Sequence, residues 1–205
     1  MRNMTDRLVT FVRLLMGVIY VINGVNWWFK LITPYPSLSD FATMAPPPDV
    51  VGAMIENGVM FHMVKALELL TGIALLTNFM VPLVLVAVLP VTISVFIVDV
   101  FFIAHLRGFV MGAGSLVLNV YLLLAYLEHY RGMLAIRGRT TGVPDAPGDG
   151  GNATDLVVTL ARPVMPLIAA LAVVLGLVML GWLLVMIAQY IANPLPLSAI
   201  MPPRP

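Results

Sequence analysis

Five stretches of this chain are long and apolar enough to cross a bilayer, and no other feature constrains its fold as strongly. A spanning helix needs about 20 mostly apolar residues. The stretches run over residues 8–32, 61–78, 82–105, 109–130 and 164–192. Lipid offers the backbone no hydrogen bonds, so a single apolar segment crosses it as a helix. The expected fold class is therefore all-α integral membrane: a four-helix transmembrane bundle plus a fifth C-terminal transmembrane helix. Composition agrees, since only 10% of the 205 residues are charged where soluble domains carry about 25%. A net charge of +1 gives no electrostatic case for nucleic acid. The chain has no cysteine, which excludes disulfides, thiol redox catalysis, iron–sulfur clusters and cysteine zinc sites. The first apolar run exceeds the roughly 7–15 residues of a signal-peptide core and reads as a retained helix.

Between the spans the sequence is legible in outline. "TNFMVP" predicts a tight turn, making the second and third spans an antiparallel hairpin. Pro90 falls inside the third span, where it removes a backbone donor and predicts a kink. Residues 33–60 form a proline-rich exterior loop whose later part, "PDVVGAMIENGVMF", has helical spacing and predicts a short interfacial helix. Residues 135–163 include "RGRTTGVPDAPGDGGNATD" and read as a flexible cytoplasmic linker. Residues 193–205 are a proline-rich tail. Arg2, Arg7 and Arg13, with Arg131, Arg137, Arg139 and Arg162, cluster on one side. The positive-inside bias then places the N-terminus in the cytoplasm and the C-terminus outside.

Charges inside a bilayer are expensive, about 2.5–3.5 kcal/mol each on insertion scales, so those present need a reason. Asn23, Trp27 and Lys30 share a helical face, with Asn26 beside it. His62, Lys65 and Glu68 begin the second span, Asp99 and His105 end the third, and Ser115, Asn119, Tyr126 and His129 stripe the fourth. Asn23, Asn26, Lys65, Glu68 and Asp99, with Asn119 at the edge, are expected to converge on one zone toward the outer face. Two readings stay open. One is a structural network of interhelical hydrogen bonds. The other is a ligand site, with carboxylates beside a lysine binding a quinone carbonyl or a small polar solute. At the opposite face Arg13 is expected to reach Glu128 and His129, beside Arg131. His62, His105 and His129 lack metal-ligand spacing, so no metal and no catalytic residue is assigned. Trp27, Trp28 and Tyr35 read as an interfacial aromatic belt. "GFVMGAG" offers small residues for close helix packing.

Three segments together resemble the DoxX family of small membrane proteins. They are "RLLMGVIYVINGVNWWFKL"; "VKALELLTGIALLTNFMVPLVLVAVLPV", with Glu68, Gly72 and the short turn; and "LVLNVYLLLAYLEHYRGML". The resemblance covers about Arg13 to Leu134 and implies a four-helix bundle in a bacterial inner membrane. It also implies a link to quinone-dependent sulfur oxidation, as in thiosulfate:quinone oxidoreductase subunits, or to oxidative-stress redox complexes. The missing cysteine departs from the thiol side of that chemistry. So does the added fifth span, which suits docking on other integral membrane subunits or a lipid-facing strut. The expected role is an accessory subunit of a quinone-linked respiratory or photosynthetic electron-transfer complex, more a stabiliser than an enzyme, with quinone the only candidate cofactor. A quinone-binding oxidoreductase component is the alternative. A small-solute transporter ranks third, because no internal repeat is evident.

Overall fold

Each of the five apolar stretches contains a helix in the computed structural model, which describes residues 2–29, 59–103, 106–131, 133–134 and 153–192. Helix α1 spans Arg2–Phe29, α2 Val59–Thr77 and α3 Val81–Ile97. A π-helical segment, Val98–Ile103, prolongs α3, and α4 follows at Leu106–Ala125. A 3-10 turn, Leu127–Tyr130, follows α4. Helix α5 is short, Ala153–Ala161, and α6 is long, Met165–Ala192. The five helices that meet the length and hydropathy of a membrane span make this a multi-pass integral membrane protein.

The turn between α2 and α3 has a specific chemistry. Asn78 takes a left-handed φ of 58°, and Phe79 N–H donates to Ala74 O at 2.9 Å. That is the helix-ending motif usually built on glycine, with asparagine as the next best residue. Pro82 lies in the first turn of α3, where a missing N–H costs nothing. Pro90 does not end α3, which continues to Ile97.

Close helix seams rest on small residues. A Cβ on Gly72 would stand 2.8 Å from Val21 N and 2.9 Å from Gly17 O, and one on Gly24 would stand 2.8 Å from Leu69 Cβ. So α1 and α2 touch nearly backbone to backbone, and they run antiparallel. Helix α3 follows α2 as a hairpin, and α4 packs antiparallel on α3. The core lies between them, with Val12, Leu75, Leu85, Val88, Leu118 and Leu122 essentially inaccessible.

The structure sharpens two expectations. The fifth span, α6, packs on α1 and α4 of its own bundle. Its buried residues are Ala169, Ala172, Gly176, Met179, Leu183 and Met186, alternating steps of three and four as in a coiled-coil seam. A Cβ on Gly176 would press on the side chains of Leu15 and Leu118, so this seam is filled by leucine side chains, unlike the backbone contact between α1 and α2. Hydrophobicity is nearly uniform around α6, and small residues at Ala169, Ala172 and Gly176 open the first half of its docked face. The other correction concerns residues 135–163. Residues 153–161 of that stretch are helical, not linker. Asp155 occupies the first turn of α5, where a negative charge favours a helix N-terminus. Residues 30–58, 135–152 and 193–205 lie outside the described residues, and with them Lys30, Tyr35 and most of the expected interfacial helix ahead of α2.

Candidate functional site

Glu68 is the central residue of α2, with nine helical residues on either side. Only 5% of it is exposed, and the same holds for Lys65. Lys65 Nζ donates to Glu68 Oε2 at 2.8 Å, and Asn23 Nδ2 of α1 donates to the same oxygen at 2.9 Å. Spacing explains the first bond, since residues i and i+3 are neighbours on a helix surface. The second depends on the glycine seam, which lets a short asparagine cross from α1 to α2. Lys65 also stands over the Phe61 ring, 5.3 Å from its centroid, within cation–π range. The cluster is therefore built around the midpoint of α2 as described.

An aromatic group closes the end of the cluster nearer the start of α2. Trp27 is 4.5 Å from Phe61 and 5.2 Å from His62, centroid to centroid. Trp27 is buried and belongs to this group, whereas Trp28 is exposed as an interfacial aromatic should be. Asn26 is also buried, three residues beyond Asn23 on α1.

A second buried polar pair crosses the bundle where the sequence pointed to nothing. Tyr20 OH and Thr92 Oγ1 are 3.2 Å apart. Thr92 spends its only hydroxyl proton on Val88 O at 3.0 Å, so Tyr20 is the donor. Ser115 of α4 faces the same phenol, and Lys65 and Glu68 act on it electrostatically. A signal existed: Tyr20 precedes Asn23 by three residues, and Thr92 is a rare polar residue in an apolar run. Thr71, one turn past Glu68, is fully buried and its hydroxyl has no hydrogen-bond partner.

Of the five residues picked from sequence, Asn23, Lys65 and Glu68 are joined by hydrogen bonds. Asn26 is buried on the same helix as Asn23. Asp99 lies on the π-helical end of α3, half-buried against α4, where a Cβ on Gly112 would stand 2.9 Å from its own. Segments of this kind are frequent at functional sites. Asn119 sits elsewhere, donating to Leu85 O at 3.3 Å. His105 lies outside the described residues.

The expected Arg13 contact is replaced by a different one. Arg13 Nη1 donates to Leu75 O at 2.8 Å in the buried end of α2. The last four carbonyls of a helix lack intrahelical partners, and a cation there also meets the negative end of the helix dipole. Glu128 instead pairs with Arg131 at 3.2 Å, and Arg131 reaches Asp155 at 3.4 Å, all exposed. His129 packs against Tyr126.

The family model that matches this chain is DoxX, over residues 8–106. No curated protein and no solved structure matches it.

Proposed function

This chain belongs to the DoxX family through residues 8–106, and from that premise we propose that it is an accessory membrane subunit of a bacterial quinone-linked electron-transfer complex. The family is linked to membrane redox and quinone-related roles. The observation that carries the accessory reading is the bond from Asn23 to Glu68. It turns a Lys65–Glu68 pair within α2 into a tie between α1 and α2, with both charges buried. A charge pair held in this way fixes the register of two helices, the best-attested use of buried polar groups. The protein then serves as a rigid bundle that stabilises or docks a catalytic partner, with the outer face of α6 as one docking surface. In the bacterial inner membrane its N-terminus faces the cytoplasm.

A second reading has its own observation. Trp27, Phe61 and His62 cluster in tilted and edge-on contacts, with Lys65 over the Phe61 ring, and an aromatic group beside a cationic donor suits a quinone ring and its carbonyl. Glu68→Gln separates the two readings. Loss of co-migrating partners on native gels supports the accessory role. Intact assembly with impaired quinone turnover supports the quinone site. An unchanged assembly with unchanged turnover removes both.

A further inference from the structure

At the end of the bundle that holds the α1 N-terminus, a groove of about 220 Å³ opens between the fourth span and the α5–α6 corner. Leu124, Leu127, Val158 and Met165 give it an apolar floor, and Glu128 and Arg162 stand at its rim. Its depth follows from the spans: that of α4 ends at Ala125 and that of α6 begins at Met165. The groove therefore sits where acyl chains meet headgroups. Arg131 bridges Glu128 and Asp155 and so ties α5 to the end of the fourth span. Arg162 is exposed in the turn between α5 and α6 and makes no ion pair among the described residues. Leu156, Leu160, Val164 and Leu167 are all exposed at steps of four, four and three, so an apolar strip runs from α5 onto the outer face of α6.

We propose that this groove seats an acyl chain of a membrane phospholipid whose phosphate sits on the Arg162 guanidinium. A guanidinium fork matches phosphate geometry and is weakly hydrated, so it suits a half-wet boundary. Basic pockets beside transmembrane helices bind lipid headgroups by this chemistry. The occupant is a lipid rather than a free anion because the cation lies over an apolar floor at headgroup depth.

The test is native mass spectrometry of the full chain, delipidated in detergent, titrated with phosphatidylglycerol, diacylglycerol and glycerol 3-phosphate. Phosphatidylglycerol is expected to bind with one-to-one stoichiometry. Diacylglycerol should bind about tenfold more weakly or worse, in keeping with loss of a charge-assisted hydrogen bond. Glycerol 3-phosphate should not bind measurably. Arg162→Gln should bring phosphatidylglycerol down to the diacylglycerol level, Ala161→Phe should fill the groove and weaken both lipids, and Arg7→Gln, exposed on α1 away from the groove lining, serves as the surface-charge control. Equal binding of diacylglycerol and phosphatidylglycerol, saturable binding of glycerol 3-phosphate, or an Arg162→Gln protein that binds like wild type would each overturn the assignment.

Discussion

Lys65 and Glu68 show how the value of one residue depends on its neighbours. Removing one member of a buried ion pair typically costs about 3–5 kcal/mol, because the survivor keeps its charge without its partner. Lys65→Met should therefore destabilise the bundle on that scale in thermal unfolding in detergent. The double variant with Glu68→Leu should recover most of the loss, and a loss that simply adds would refute a coupled pair. Asn23→Ala removes the interhelical hydrogen bond to Glu68 and should cost about 0.6 kcal/mol, at most about 2. Thr71→Val replaces an unpartnered buried hydroxyl with a methyl of similar shape and should be neutral or stabilising. Tyr130 lies beyond the membrane span of α4, and its hydroxyl donates to Pro82 O at 2.9 Å. Burial, helped by nearby Tyr126, pushes this phenol up to about 12 from 10.0. A raised phenol stabilises the fold only while protonated. That contribution is complete below pH about 10 and fades as the pH climbs through about 12. A phenolate absorbance titration of wild type against Tyr130→Phe should show one late-titrating tyrosine disappear. Sequence alone exposed the charged residues because charge in an apolar run is conspicuous. Tyr20 and Thr92 escaped because both are ordinary in apolar helices and only a diagonal contact across the bundle gives them a role.

At the scale of helices, glycine placement makes the sharpest predictions. Gly72 faces the α1 backbone and has no room for a side chain, whereas a Cβ on Gly181 meets nothing within 4 Å. Gly72→Val should separate α1 from α2 and break the Asn23–Glu68 bond. Gly181→Ala should leave the fold intact and gain up to about 1 kcal/mol from helix propensity. Thermal unfolding of the two variants should move in opposite directions. The spans themselves were legible because a bilayer demands length and hydropathy, which one sequence displays. Their ends were less so. The third span turns π-helical over Val98–Ile103 and α4 begins at Leu106, and hydropathy is blind to a change of helical pitch. Helix α5 was hidden in a stretch whose glycines and prolines dominate its composition, although "ATDLVVTLA" is helical in pattern once isolated.

For the whole molecule, the unresolved matter at the level of sequence was whether the last span belongs to the bundle. Hydropathy cannot settle it, because lipid and an apolar groove are equally good solvents for leucine. Ala169, Ala172 and Gly176 mark the first half of the docked face, which Met179, Leu183 and Met186 continue. A chain ending before α6 should still insert as four spans and keep the Asn23–Glu68 bond. It should unfold at a lower temperature, since Leu15 and Leu118 would lose their cover. If its melting temperature does not change, α6 is only loosely associated. The Arg13–Leu75 and Asn23–Glu68 bonds join the first two spans at both depths, and this has a consequence for biosynthesis. Each charged residue entering lipid alone would meet a barrier of about 2.5–3.5 kcal/mol. Together, the two segments satisfy each other. They should therefore leave the translocon as a unit, the first waiting at the lateral gate for the second, while uncharged α6 can partition by itself and find its seam later.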